Sequence, residues 1–178
     1  MRNLKYALLG MLSQESMTGY ELMQKFETSL TEFWHAKHSQ IYPELKKLTD
    51  EGMIEYSVEI SGNVLEKKVY TITEAGRKDF LEWLAKDEPM QPTPKDIFRL
   101  RMFFSNQLET KQCLKLLESQ LTQHKARLAQ LKKDTGKFGI TLAKHTPEFY
   151  DALVLRGAIL REESYCQWLK ECIDSLES

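Results

Sequence analysis

The sequence predicts a mainly α-helical chain in two parts: a compact helical domain closed by a two-stranded hairpin, and a tail of long helices. Three observations carry that prediction. Apolar residues recur at three- and four-residue intervals through most of the chain, residues 54–60 alternate strictly, and the run DEPMQPTPK at 87–95 shows no periodic apolar pattern. The expected division is residues 1–88, a linker at 89–95, and residues 96–178.

Leu4, Ala7, Leu8, Met11 and Leu12 share one face of a helix over residues 3–13. Thr18 and Glu21 have capping-box spacing, in which hydroxyl and carboxylate each satisfy an orphan amide, so a second helix starts at Gly19 and runs to about Ser29. Leu22, Met23 and Phe26 form its inner face, and Phe33 and Trp34 join the core. Tyr20, in the first turn, either reaches a phosphate or packs on the core rim.

The third helix carries the densest information. With Ile41 at the front of a helical wheel, Leu45 and Leu48 fall within about 40° of it, one narrow stripe that faces a core. The opposite side presents Ser39, Gln40, Pro43, Lys46 and Lys47, with Tyr42 on the flank. Pro43 has no amide hydrogen and belongs in a first turn, which sets the helix start near Ser39. Short polar, amide and ammonium groups at a helix N-terminus suit base edges and phosphates. A solvated lysine face on an amphipathic helix is the other reading of this segment alone.

Gly52 supplies a left-handed cap. Ile54, Tyr56, Val58 and Ile60 then alternate with Glu55, Ser57 and Glu59, which predicts a half-buried strand; Ser61, Gly62 and Asn63 turn the chain, and Val64 to Thr73 returns it in a register open by one position. Thr73 caps a fourth helix bearing Phe80, Leu81 and Leu84. Three helices and a hairpin form the winged helix-turn-helix plan, in which Lys67 and Lys68 either hold phosphates beside the groove or protect a hairpin edge by charge.

Beyond the linker, DIFRLRMFF at 96–104 predicts a short helix between the two domains with Phe98, Phe103 and Phe104 in the core. Leu114, Leu117, Leu121, His124, Leu128 and Leu131 predict a long helix with a coiled-coil-like seam, ended by Gly136 and Gly139. A final helix after Pro147 repeats the spacing through Ala152, Leu155, Ile159, Glu162, Cys166, Leu169, Ile173 and Leu176. Leu153, Leu160, Tyr165 and Trp168 lie off that seam, an apolar surface wider than one helix covers, so a second chain is expected on this domain. The expected dimer-forming set is Leu114, Leu117, Leu121, Leu128, Leu155, Ile159, Cys166, Trp168, Leu169, Ile173 and Leu176. His124 is the polar knob in the seam, setting register, sensing pH or standing half exposed.

Composition narrows the function classes. The formal net charge is −1, and residues 1–86 carry 11 Lys/Arg against 13 Asp/Glu, so nucleic-acid contact rests on a local patch, not a basic domain. Cys113, Cys166 and Cys172 have neither metal-binding nor disulfide-framework spacing, and no apolar run reaches transmembrane length, which points to the cytoplasm. HExxH, GxSxG and Walker-type motifs do not occur, so neither an enzyme nor a metal or other cofactor is expected. His35 and His38 share a helix face without a third ligand nearby; they approach phosphate or simply open the third helix.

The run QIYPELKKLTDEGMI resembles the YPxLxxLxxxGxI signature of the PadR family of bacterial transcriptional regulators, KKVYTITEAG resembles its YxLTxxG segment, and with TGYEL the resemblance spans nearly all of residues 3–86. It implies that Ser39, Gln40, Tyr42, Pro43, Lys46 and Lys47 face DNA, with Tyr20, Asn63, Lys67 and Lys68 near the backbone. His38 departs from the pattern, standing where many such sequences have glycine. The helical tail resembles the AphA-like branch with a virulence-activator-type C-terminal domain, in which long helices of two subunits embrace. The resemblance implies a homodimeric, sequence-specific repressor on a palindromic operator whose half-sites lie about 34 Å apart or a multiple of it. A small aromatic ligand is the expected effector, with Trp34, Phe98, Phe104, Tyr165 and Trp168 either lining its site or forming solid core. The alternatives are an activator of the AphA type and a protein-interaction module that no longer binds DNA.

Overall fold

The computed structural model describes residues 2–30, 34, 38–61, 65–138 and 142–178. Phe33, His35, Gly62, Asn63 and Gly139 lie outside the described residues, as does the side chain of His38. The chain divides into two compact units, 1–91 and 92–178.

In the first unit, α1 (Asn3–Leu12) and α2 (Gly19–Lys25) pack on α3 (His38–Asp50). Thr18 and Glu21 form the capping box expected of them: the Glu21 amide donates to Thr18 Oγ1 (3.2 Å) and the Thr18 amide to Glu21 Oε2 (2.8 Å). The α-helix ends at Lys25 and continues as a π-helical turn, Phe26–Leu30, in place of one α-helix to Ser29. Leu8, Leu9, Leu22, Ile41, Leu45, Leu48 and Ile54 make the centre of one core, which Trp34 borders. Leu45 and Leu48 have no exposed surface, and each such leucine contributes about 1.5–3 kcal/mol by its burial.

Helix α3 starts at His38, within one residue of the expected start near Ser39, but Pro43 is its sixth residue and not part of its first turn. The proline removes the amide that would bond the Ser39 carbonyl, and both residues are exposed, so that carbonyl is open to solvent. Gly52 ends the helix with φ +68, the left-handed cap the sequence predicts.

The hairpin pairs β2 (Ile54–Ser61) with β3 (Leu65–Ile72), from Ile54 opposite Ile72 to Ser61 opposite Leu65. A third strand absent from the sequence expectation, β1 (Met17–Thr18), joins the other edge of β3, with Met17 opposite Tyr70. Two residues are too few to show a period. The half-buried strand is also corrected: Ile54 is buried, but Tyr56 and Val58 are 42% and 50% exposed, because the hairpin runs outward past the core. Helix α4 (Glu74–Leu84), capped by Thr73 through the Gly76 amide (3.1 Å), lies against α1, where Tyr6 stacks on Trp83 at 4.6 Å and Lys5 pairs with Asp79 at 2.8 Å.

In the second unit, α5 (Ile97–Phe103) precedes α6 (Thr110–Asp134) and α7 (Pro147–Glu177), with Pro147 at the first helical position behind its Thr146 cap. Leu117 and Leu121, early in α6, pack with Cys166 and Leu169, late in α7, while His124 meets Glu162, so the two helices run antiparallel. This places the heptad seams inside one chain. Leu117, Leu121, Ile159, Cys166 and Leu169 of the expected dimer set are buried within the chain, Leu117 and Leu169 completely. Leu114, Leu128, Leu155, Trp168 and Ile173 are half-buried and Leu176 is exposed. Phe103 and Phe104 are corrected too: they are 80% and 58% exposed, outside the core that Phe98 joins.

Truncating the stripe tests this packing. Leu45→Ala should cost about 2–5 kcal/mol in urea unfolding, since it empties a sealed site, whereas Lys46→Ala should change stability by less than about 0.5 kcal/mol. Equal losses at the two positions would contradict the orientation of α3.

Candidate nucleic-acid interface

The buried stripe determines what α3 can show to a ligand. With Ile41, Leu45 and Leu48 held inward, Ser39, Gln40, Tyr42, Pro43, Lys46 and Lys47 are all exposed, so the structure brings these six expected residues onto one helix surface. Lys46, with its side chain 81% exposed, lies 3.8 Å from Asp50 one turn on, a contact loose enough for an anion to displace.

Glu44 is the residue the sequence reading missed. It sits among the lysines of α3, yet it is 8% exposed and accepts from Arg2, whose Nε lies 3.0 Å from Glu44 Oε1 while Nη1 reaches Glu51. One guanidinium thus bridges α3 between its middle and its C-terminal end, drawing both carboxylates away from the exposed face. The Arg2 pKa is raised, first by its hydrogen bond to Glu51 and then by that to Glu44. An ion pair spanning 42 positions has no local signal. Arg2 and Lys47 also border an open groove of about 510 Å³ at the foot of α3, which Trp34, Ser39 and Gln40 line.

Tyr42 leans from α3 towards α2 and is 52% exposed. On the hairpin, Tyr56 meets Tyr70 edge to face at 5.8 Å and Lys68 Nζ sits 4.2 Å over the Tyr56 ring. The Tyr70 pKa is raised, mainly by burial, with Lys68 opposing and Tyr42 adding to the effect. Lys67 and Lys68 do not act as a pair. Adjacent strand residues point to opposite faces: Lys68 shares the face of Tyr56 and Tyr70, and Lys67 stands opposite Glu59 on the other. Lys67 is close enough to Glu21 for its charge to help hold that carboxyl below its ordinary pKa, after the larger effect of the Thr18 hydrogen bonds. Tyr20, 59% exposed, accepts from Gln24 Nε2 at 3.0 Å.

The expected aromatic ligand residues fall in both units. Phe98, Tyr165 and Trp168 come together in the second unit, with Trp168 edge-on to Tyr165 (5.1 Å) and Phe98 (6.2 Å). Phe104 stands edge to face with Phe103 at 5.1 Å, and Trp34 belongs to the first unit's core. A polar chain runs beside the first group. His124 Nδ1 lies 2.6 Å from Glu162 Oε2, Arg127 Nε lies 3.2 Å from Glu162 Oε1, and the His124 ring stacks on Tyr165 at 4.0 Å. Tyr165 in turn donates to Asp96 Oδ2 (2.8 Å), while Asp96 Oδ1 caps α5 through the Arg99 amide (2.9 Å). The Asp96 pKa is lowered, first by the Arg99 amide and, with burial opposing, by Tyr165. Among the described residues, no cluster of three or more His, Cys, Asp or Glu is arranged to hold a metal, and no helix is long and apolar enough to cross a membrane.

A helix with a polar outward face, buttressed by two others and flanked by a projecting hairpin, defines a winged helix-turn-helix protein with an appended helical hairpin. Residues 8–82 match the transcriptional regulator PadR-like family, and residues 94–177 match the virulence activator alpha C-terminal family. The negative transcriptional regulator PadR of Bacillus subtilis is 39% identical over 180 residues, covering 99% of each chain. Crystal structures of that protein superpose with a TM-score of 0.93 in complex with operator DNA (40% identity, 98% and 99% coverage) and 0.90 in complex with p-coumaric acid (38%, 99% and 100%). The Vibrio cholerae virulence activator AphA is more distant, with a TM-score of 0.72 at 25% identity over 98% of each chain. The chain belongs to the PadR-like family of transcriptional regulators, on the branch with the virulence-activator type of C-terminal domain.

The Tyr165 phenol is pushed up to about 12, by burial first and then by its bond to Asp96. An acid with a raised folded pKa contributes stability that is complete below its unfolded value of about 10 and is lost as the pH climbs through the folded one. Tyrosinate absorbance should therefore show a component titrating near pH 12 that Tyr165→Phe removes. The same variant should lose about 1–2 kcal/mol at neutral pH, a deficit that shrinks above pH ~10. Superimposable alkaline titrations of the two proteins would contradict the buried bond.

Proposed function

We propose that this protein is a homodimeric, cytoplasmic repressor that acts without catalysis, occupying a palindromic operator with two copies of α3 and leaving it when a small phenolic acid binds. The observation that carries the reading is the exposed surface Ser39 to Lys47 of α3, in a chain similar along its whole length to a negative regulator solved on its operator. The N-terminal turn, with Ser39 and Gln40, reads base edges; Lys46, Lys47 and, from the hairpin, Lys67 or Lys68 hold phosphates. The family resemblance assigns Tyr20 and Asn63 to the DNA backbone, and His38, at the start of α3, to the approach of that helix to DNA.

The dimer supplies what one copy lacks. The first unit has slightly more acidic than basic residues, so a single module gains little from phosphate attraction, and two modules on one site double the contacts. The second unit offers Ile97, Leu100 and Phe103 on α5 and Leu153 and Leu160 on α7, all exposed in the single chain, as the apolar surface for a partner. Repression is favoured over AphA-like activation because identity to the negative regulator is 39%, against 25% to AphA. The effector proposal rests on the relative bound to p-coumaric acid and on aromatic residues of this chain: Trp34 at the open groove, and Phe98, Tyr165 and Trp168 beside His124 and Arg127.

Footprinting on the chain's own upstream region should reveal two protected half-sites separated by about one helical turn. Binding to that duplex should weaken by about 10³-fold or more from 50 to 200 mM salt, and Gln40→Ala or Lys46→Ala should each cost about 1–3 kcal/mol. Added p-coumaric acid should quench tryptophan emission and release the duplex. Protein that captures other proteins but retains no promoter fragment would favour the interaction-module reading; a flat fluorescence titration with DNA binding intact would remove the effector alone.

A further inference from the structure

We propose that Gly19, which has no side chain to offer DNA, is a positioning residue for DNA binding: its missing side chain is the space in which the Tyr42 ring lies. The inference rests on the reading of α3 as the DNA-contacting helix.

Gly19 is buried at the first position of α2, and its φ is not in the left-handed region, so nothing in the backbone conformation calls for glycine. Alanine is also the better helix former. What alanine would bring is a methyl carbon 2.7 Å from Tyr42 Cε1, 3.2 Å from Cζ and 3.3 Å from the hydroxyl oxygen, the three nearest atoms all belonging to that one ring. Ordinary carbon contacts begin near 3.5 Å, so one side must yield.

The backbone at Gly19 is held in place. Met17 and Thr18, immediately before it, pair with Tyr70 and Val69 of β3, and the Thr18–Glu21 capping box closes over it from the other side. Tyr42 is half exposed, and a terminal ring swings about its side-chain torsions at little cost. The ring therefore moves, carrying its hydroxyl off the flank of α3 while the core beneath stays as it was. Gly19 thus connects the scaffold helix α2 to the presented surface of α3 through one contact, and the hairpin strand β3, which pairs with β1, fixes that contact relative to the wing.

The test is a double-mutant cycle in the full-length protein, reading affinity for the duplex protected in its own promoter together with the urea midpoint. Gly19→Ala should weaken binding about tenfold with an unchanged or higher midpoint, and in a Tyr42→Ala background the same substitution should change affinity by less than about twofold. A merely structural role would lower the midpoint and act equally in both backgrounds. Wild-type affinity in Gly19→Ala, or the same loss with and without Tyr42, overturns the inference and leaves the DNA-binding reading standing. Failure of the wild-type protein to retain any promoter duplex overturns that reading, and this inference with it.

Discussion

The burial of Ile41, Leu45 and Leu48 against α1 and α2 is the constraint on which the rest depends. A helix sealed along one narrow stripe has its rotation fixed, because turning it would expose leucines that now have no accessible surface and bury lysines in their place. Everything assigned to the opposite face follows from that rotation. Arg2 adds to it from outside the core: by bridging Glu44 and Glu51 it ties both carboxylates of that flank to the N-terminal segment, leaving Lys46 and Lys47 to dominate the exposed surface.

Charge plays a local part. With no excess of basic residues in the first unit, long-range attraction is weak, and in the proposed reading affinity comes from a few correctly placed contacts used twice. Such a protein depends on geometry more than a strongly basic one does. That is why positioning features cluster around α3: the Arg2 bridge, the capped start of α2, the β1–β3 pairing, and the glycine beneath Tyr42.

Much of the first unit was legible in the sequence because its signals are local. The Thr18–Glu21 capping box, the Thr73 cap, the left-handed Gly52 and the wheel of α3 involve residues within a few positions of one another. The Arg2–Glu44 pair and the two-residue strand β1 were not legible, the first because its partners are distant, the second because it is too short for a period. Lys67 and Lys68 could have been separated by the strand period itself, which forbids neighbours from sharing a face. The heptads of α6 and α7 posed a different problem. The same spacing describes a seam between two helices of one chain and a seam between two chains, and nothing in the periodicity distinguishes them. Only the sealed positions of Leu117 and Leu169 do so, and they shift the proposed partner surface to the exposed residues of α5 and α7.

The most direct test of the central claim is site-specific cross-linking. A photoreactive residue placed at position 40, on the outward face of α3, should give covalent adducts with promoter duplex, while the same residue at the exposed position 78 of α4 should give almost none. Adducts of equal yield from both positions, or from position 78 alone, would show that the surface opposite the Ile41–Leu45–Leu48 stripe is not the one that meets DNA.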